Sequence, residues 1–408
     1  MKNRNKEQLQ TWIDTLLIDG TPDFDECISY LGDYFPLLKE FSNTIQDPVW
    51  HAEGDVAIHT EMVLQELYKI LPKVSSMFGE PLTPTERQSL ILSALLHDIA
   101  KPLTTYTCVT TDRVKASKHE EKGKQYLVFN FLKLMENVSI MKDVYTNVLE
   151  LVGQHQKPKL LVIRDEPDYK YHKLMNDIDY KLIYLLELAD IKGRTCVDLD
   201  IQLMYLEEFK DKCEHLRETT LTFDDEHAPT AFQIHRGLYD LSHNKVTSAS
   251  EFKSKYYAEH KGSLTIMCGI SGSGKSTYIE NRLVHDSEHT IISLDDIRAE
   301  LSFREDQSRN GEVIQLAKQR LKQALAKGDN VLWDATNTRK EFRDVLVQIG
   351  LDYKAFVRIQ VILNTEDNIR KQNINRKHTV PEYVITKQIK QFQLPTRSEA
   401  HLVHYQLF

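Results

Sequence analysis

The sequence predicts two domains of different class, an all-α domain followed by an α/β domain with a parallel sheet. Three observations predict this. The first half of the chain repeats apolar residues at helical spacings in segments broken by Gly, Pro and Asp. Residues 264–277 then read as a short apolar strand, a glycine-rich turn and the start of a helix. Beyond that turn, apolar strand-like runs alternate with amphipathic helices, which is the pattern of a parallel sheet. At 408 residues there is room for two such domains, and the 41% apolar and 27% charged content is that of an ordinary globular protein. The expected division is 1–217 for the helical domain with its N-terminal packing helices, 218–261 for a linker, and 262–408 for the α/β domain.

Charge and cysteine usage narrow the function classes. A net charge of −8 argues against a protein that grips long stretches of duplex, because phosphate contacts on a basic surface supply most of that affinity. Nucleic acid would be touched at an end, over a few nucleotides. Five scattered cysteines without a C-x-x-C, no apolar run of membrane-spanning length and no signal-like N-terminus predict a cytoplasmic protein.

In chain order, residues 8–43 read as packing helices broken near 20–23 and before Pro36. The polar, turn-rich stretch 46–56 leads into a helix with Val63, Leu64, Leu67 and Leu71 on one face and His59 near its start. A second apolar helix, 85–99, carries His97-Asp98 near its end and is expected to stop at Pro102. His119 opens another helix, His155 ends the next, and Asp190 closes the apolar helix 180–190, with Gly193 as its cap. Each of these residues alone is a common polar or core residue. Together they place imidazoles and carboxylates at the ends of successive helices, where side chains from several helices converge on one ion.

That string, H…HD…H…H…D across an all-α region, resembles the HD-domain phosphohydrolase superfamily. The resemblance implies that His59, His97, Asp98 and Asp190 bind one divalent transition metal. In two-metal members His119 and His155 join, with Asp98 bridging. It also implies that Lys101 steadies a phosphate oxygen, while the metal lowers the pKa of a water and polarises the phosphoryl group.

The second half centres on Gly269-Ile270-Ser271-Gly272-Ser273-Gly274-Lys275-Ser276-Thr277. This is G-x-x-x-x-G-K-S between a strand and a helix, a phosphate-cradling P-loop. Glycines let backbone N–H groups turn inward on a polyphosphate, and the helix adds its positive end. Lys275 can reach the β- and γ-phosphates and Ser276 can ligate Mg²⁺. A bound nucleoside triphosphate, ATP or another NTP with Mg, follows. A second strand at 290–294 ends in Asp295-Asp296-Ile-Arg298, a helix spans 311–327, and strands at 330–333 and 355–363 deliver Asp334-Ala-Thr-Asn337 and a polar helix with Arg370 and Arg376. In parallel sheets ligands sit at the carboxyl ends of strands, where the loop, Asp295 and Asp334 all fall. Asp295 and Asp296 read either as helix N-caps or as a general base facing the γ-phosphate.

The set S-x-D-D-x-R, D-x-T-N and R-x-x-x-V-P resembles phage-type polynucleotide 5′-kinases and their bacterial relatives. By that resemblance Asp295 is the base, Arg298 lies near the acceptor phosphate and Arg376 is the lid arginine. The family's usual Arg-Asn ahead of the lid arginine is Gln372-Asn373 here, which predicts weaker lid contacts. Both modules in this order resemble the bacterial HD–polynucleotide kinase end-healing enzymes. That implies RNA repair, with a 2′,3′-cyclic phosphate or 2′/3′-phosphate end hydrolysed and a 5′-OH end phosphorylated, DNA being left open. Two other readings keep the same motifs: a nucleoside or metabolite kinase fused to a nucleotidase, and a nucleotide-gated sensor whose HD module binds without turnover.

Overall fold

The structure is a computed structural model, and it describes residues 6–220, 230–248, 251, 255, 259–283, 289–301, 308–376 and 378–408. The chain divides into two compact units, Met1–Thr222 and Phe223–Phe408.

In the first unit α1 (Lys6–Ile18), α2 (Phe24–Leu31), α3 (Val56–Ile70), α4 (Val74–Phe78), α5 (Pro84–Leu96) and α6 (Lys101–Thr104) lead to a hairpin, β1 (Thr105–Cys108) and β2 (Arg113–Ala116). Then follow α7 (His119–Met135), α8 (Lys142–Gln154), α9 (Lys157–Ile163), α10 (Asp168–Asp177), α11 (Tyr180–Lys192) and α12 (Leu199–Thr220). Two of these are buried on nearly every side. In α5 all residues from Gln88 to Leu96 are buried, and in α11 the whole run from Leu182 to Ile191. Helices apolar all round belong in a core, and α3, α8 and α12 pack around this pair. Both are started locally. Thr83 and Glu86 form a reciprocal capping box ahead of α5, and the Asp179 carboxylate accepts the Lys181 N–H at α11.

One expected boundary is corrected. The helix carrying His97-Asp98 does not run on to Pro102 but ends at Leu96, with His97 as its cap. Pro102 instead sits in the first turn of α6, where its missing N–H is not needed. The hairpin at 105–116 had no counterpart in the sequence reading.

The second unit begins with α13 (Ala231–Ser242), inside the segment expected to be a linker. Thr230 and Gln233 cap it as a box, and the Phe232 ring meets the His401 ring edge-on at 4.9 Å. The neighbouring stretches 221–229 and most of 249–258 lie outside the described residues. Next come β3 (Ser263–Cys268), α14 (Lys275–Tyr278), β4 (Thr290–Ser293), α15 (Leu294–Leu301), α16 (Asn310–Lys327), β5 (Asn330–Asp334), α17 (Lys340–Asp352), β6 (Phe356–Leu363), α18 (Glu366–Ile374), α19 (Glu382–Gln391) and β7 (Leu402–Leu407). The five strands form a wholly parallel sheet in the order β4-β5-β3-β6-β7. β3 is central, with Leu264 facing Val331 on one side and Val357 on the other, and it is buried from Leu264 to Cys268. The order reverses at β3, so the loop after it opens at the switch point where such sheets bind ligands.

A buried ion pair braces this end of the sheet. Arg343 of α17 is fully buried, and its Nε and Nη2 donate to Glu399 at 2.8 and 3.0 Å while Nη1 donates to the Asn337 carbonyl at 3.0 Å. Removing one partner strands a buried charge. Glu399→Ala is therefore expected to destabilise the second unit by about 3–5 kcal/mol, read as a lowered unfolding midpoint in denaturant.

No helix among the described residues is long and apolar enough to cross a membrane.

Candidate functional site

Burial places the first site. His59 on α3, His97 capping α5, Asp98 in the turn after it, His119 opening α7, His155 capping α8 and Asp190 on α11 are all buried. The six residues expected to be ligands therefore meet inside the helical unit. Each imidazole turns its Nδ1 to a backbone carbonyl: His59 to Gly193 at 3.1 Å, His97 to Ala94 at 2.8 Å, His119 to Ala116 at 2.8 Å and His155 to Val152 at 2.9 Å. A carbonyl only accepts, so Nδ1 carries the proton and Nε2 of the neutral ring is a lone pair. Gly193 is needed for the first of these. A Cβ there would stand 2.7 Å from the Val63 backbone, so only glycine lets the end of α11 approach α3 this closely.

The four lone pairs then point at one another and at carboxylates. Nε2 of His59 and His97 are 3.3 Å apart, as are Nε2 of His119 and His155. His59 Nε2 lies 3.0 Å from Asp190 Oδ1, His97 Nε2 3.2 Å from Asp98 Oδ2, and His119 Nε2 3.2 Å from Asp98 Oδ1. Two triplets result, His59/His97/Asp190 and Asp98/His119/His155, with the ligating atoms of each within 4.8 Å of one another. Asp98 turns one oxygen to each. Both Asp98 oxygens and Asp190 Oδ1 are buried, and what stands within reach of them is the Nε2 atoms and, at Asp98 Oδ2, the Lys101 ammonium at 2.7 Å. Two buried carboxylates set against four imidazole lone pairs are costly unless a cation sits among them. The donor set fits one or two divalent ions of the kind that take imidazole and carboxylate together.

The charges around the cluster agree. Burial would raise the Asp98 carboxyl, but Lys101 and His97 beside it hold it well below the usual range. Burial would likewise raise Asp190, and Arg194 and His59 hold it low. His155 is pushed down by burial and by its His119 and His97 neighbours, which keeps it neutral and able to ligate.

Behind these residues stands Lys101, which the sequence singles out, together with Arg194, Glu53 and His51, to which it assigns no role. Lys101 Nζ is 2.7 Å from Asp98 Oδ2 and also donates to Gln46 Oε1. Arg194 donates to Asp190 Oδ2. Glu53 Oε1 lies 3.0 Å from His59 Nδ1 and 2.8 Å from His51 Nδ1, while its Oε2 accepts the Thr195 N–H at 2.9 Å. Burial would raise Glu53, yet its bonds to His51 and His59 bring it far below the usual range. The only available signal was the density of polar residues in 46–56.

The second site lies at the end of β3. The loop 269–274 turns through positive φ at Gly272 (86°) and Gly274 (102°), where a side chain is strained. Lys275 Nζ is folded back on the loop, donating to the carbonyls of Gly269 at 2.8 Å and Ile270 at 3.0 Å. Burial lowers its pKa to about 8 against the opposing charge of Asp334; Arg376 lowers it further and Asp295 opposes that. Ser276 and Thr277 are exposed on the first turn of α14, Ile270 and Ser271 are buried, and the buried Ser273 Oγ has no hydrogen-bond partner.

Asp295 and Asp296 occupy the first turn of α15, and the Asp296 N–H is capped by Ser293 Oγ at 3.3 Å. Capping is thus already supplied by Ser293. Arg298 donates Nη1 to Asp295 Oδ1 at 2.6 Å and Nη2 to Asn310 Oδ1 at 3.1 Å. Asn337, at φ 45°, donates to the Met267 carbonyl at 2.7 Å and so ties the loop after β5 to β3. The Asn373 side chain brackets Val380 through bonds of 2.8 and 3.0 Å, closing the turn that carries Arg376. Arg370 pairs with Glu366 and Glu382 at the surface. Gln388 of α19, which the sequence did not single out, accepts the Ser271 N–H at 2.9 Å.

Residues 56–182 match the HD domain family, and residues 264–395 match an AAA domain family, AAA_33. The chain joins an HD domain to a P-loop domain. The HD domain implies a divalent metal and the P-loop domain an Mg-nucleotide, and the motif resemblance holds at the level of both domains. A chain in a structure described as the Pnkp1/Rnl/Hen1 RNA repair complex is 23% identical over 33% of this chain and 45% of that one, with a TM-score of 0.30. A second, from a Pnkp1/Rnl/Hen1 complex, is 21% identical over 30% and 42%, with a TM-score of 0.27. The match thus spans less than half the length of either. No curated protein matches the chain.

Carboxylates behind a ligating imidazole fix its tautomer and raise its basicity, and losing one costs about 10–100-fold in metal affinity. Glu53→Gln keeps the shape and removes the charge. It is expected to weaken metal binding by about that factor, measured by competition with a chelator.

Proposed function

We propose that the chain is a nucleic-acid end-healing enzyme with two activities. The HD domain is read as a metal-dependent 2′,3′-cyclic phosphodiesterase and 2′(3′)-phosphatase, and the P-loop domain as an NTP-dependent 5′-OH polynucleotide kinase. RNA is the favoured substrate. The observation that carries the first activity is the convergence of four Nδ1–H-anchored histidines and two carboxylates on one buried space. Divalent ions held there supply Lewis acidity to a phosphate ester. The chain's own part is to hold the ligands, to offer Lys101 at the cavity beside them to a phosphate oxygen, and to exclude bulk water from the ligand side.

In the second domain Lys275 and the loop amides bind the triphosphate, with Ser276 directed to its Mg²⁺. Asp295 takes the proton of the 5′-hydroxyl as its oxygen bonds the γ-phosphorus and the nucleoside diphosphate departs. Arg298 and Arg376 balance the charge that develops. The Arg298–Asp295 contact supports this assignment, because it places a cation beside the base where an acceptor phosphate would lie.

An oligoribonucleotide with a 5′-OH and a 2′,3′-cyclic phosphate, incubated with the protein, ATP and divalent metals, tests both halves by mass. One phosphate gained at the 5′ end and the 3′ end opened or cleared are the expected products. Turnover of nucleosides in preference to the oligonucleotide would move the reading to a small-molecule kinase–nucleotidase. No phosphate movement with any divalent metal would leave a sensor.

A further inference from the structure

The cavity beside the His/Asp cluster, about 330 Å³, is of the size that holds a small organic ligand and more than a phosphate group needs. Next to the ligands it is lined by Lys101, His119 and Arg194. Trp50, Lys115 and Lys118 line the same cavity. Trp50 is 38% exposed, whereas Trp12 and Trp333, the chain's other tryptophans, are 5% and 3% exposed. A part-exposed indole in a cavity with four cationic side chains and two carboxylates, Asp47 and Glu120, needs a reason.

It is also held in place. Arg113 of β2 forks onto Asp47, Nε to Oδ2 at 2.8 Å and Nη2 to Oδ1 at 2.7 Å, and its guanidinium lies 5.9 Å from the Trp50 ring centre. The Asp47 carbonyl accepts the Trp50 N–H at 3.1 Å, and Asp47 Oδ1 accepts the Val49 N–H at 3.0 Å. The hairpin and the 46–56 loop are thus locked together around the indole. Lys118, also lining the cavity, adopts φ 59°, a left-handed conformation that a non-glycine residue keeps only when its surroundings impose it. That turn both starts α7 at His119 and sets Lys118 at the cavity.

We propose that Trp50 is the stacking face for the nucleobase of the terminal, phosphate-bearing nucleotide. Lys115 and Lys118 take the phosphodiester that leads into it. This rests on the phosphoesterase reading of the HD domain and deepens it: the ligand is a polynucleotide end, recognised through a π-face and backbone charge without base-specific hydrogen bonds.

The test compares a nucleoside 2′,3′-cyclic monophosphate with base-free ribose 2′,3′-cyclic phosphate, using the metal-loaded full chain, W50A and W50F. Stacking predicts that the parent's KM favours the nucleoside substrate by about tenfold or more. That ratio falls toward one in W50A and recovers in W50F. Binding without turnover is read from tryptophan emission: a nucleoside 2′-monophosphate quenches the parent and not W50F, since only Trp50 is exposed. K115A/K118A raises KM for a dinucleotide cyclic phosphate more than for the mononucleotide, and flattens its salt dependence. The proposal is overturned if the parent shows no preference between the two substrates, or if W50A impairs both equally. If the parent hydrolyses neither substrate, the phosphoesterase reading fails. The stacking face then stands only on the quench, and falls with it if W50F is quenched like the parent.

Discussion

Asp98→Ala is expected to leave the HD domain without bound metal and without phosphoesterase activity, while phosphate transfer to a 5′-hydroxyl continues. The reason is the position of the carboxylate. Its Oδ2 faces His97 and its Oδ1 faces His119, so it belongs to the second triplet and also turns an oxygen to the first. Without it the second triplet keeps only His119 and His155, and two imidazoles make a weak site. The first keeps His59, His97 and Asp190 but loses charge, and Lys101, left with Gln46 and without a carboxylate, adds a repelling cation nearby. His119→Ala is the graded comparison, since it removes a ligand from the second triplet alone. Metal analysis of the purified proteins reads the series: two ions in the parent, about one in His119→Ala and none in Asp98→Ala would establish a dinuclear centre with Asp98 shared. One ion in the parent, unchanged in His119→Ala, would make the hydrolase mononuclear. His119 and His155 would then be phosphate contacts.

The six ligand candidates were legible because each is tied to a helix boundary, and boundaries carry local signals. Gly193 ends α11, Pro102 marks the break after Asp98, and the helix at His119 follows a polar turn. The loop 269–277 was legible for the same reason, since strand, glycines and helix follow each other without interruption. What was missed acts across sequence distance. Glu53 reaches His59 from a loop, Arg194 turns back on Asp190 only once the glycine before it has let two helices close, and Arg343 finds Glu399 from another element. A single charged residue gives no sign of which buried group it will serve. α13 reads from the sequence only as a short helical run within a linker, because its buried face includes Gln233, His235 and Asp240, which blurs the apolar stripe. β7 was passed over because an edge strand is half-covered, so Leu402–Leu407 shows neither a continuous apolar run nor a clean alternation.

Lys275→Ala is expected to lower the rate of phosphoryl transfer by about 10²–10³-fold or more while phosphate release at the HD domain persists. In the structure the Lys275 ammonium is held on the Gly269 and Ile270 carbonyls, with Asp334 favouring its charge and Arg376 opposing it. Alanine keeps the loop amides that cradle the phosphates but removes the positive charge that offsets the transferring group. Asp295→Asn separates binding from chemistry. It preserves size and polarity beside Arg298 but cannot accept a proton, so the expected result is a loss of roughly 10²-fold or more in rate with ATP binding retained. Asp296→Asn is the control, because the Asp296 N–H is already capped by Ser293 and nothing requires its carboxylate as a base. Single-turnover phosphorylation of a 5′-OH oligonucleotide with each variant, alongside equilibrium ATP binding, reads all three. A larger loss in Asp296→Asn than in Asp295→Asn would move the base one residue along α15. Lys275→Ala silencing both domains in a folded protein would end the separation of two sites.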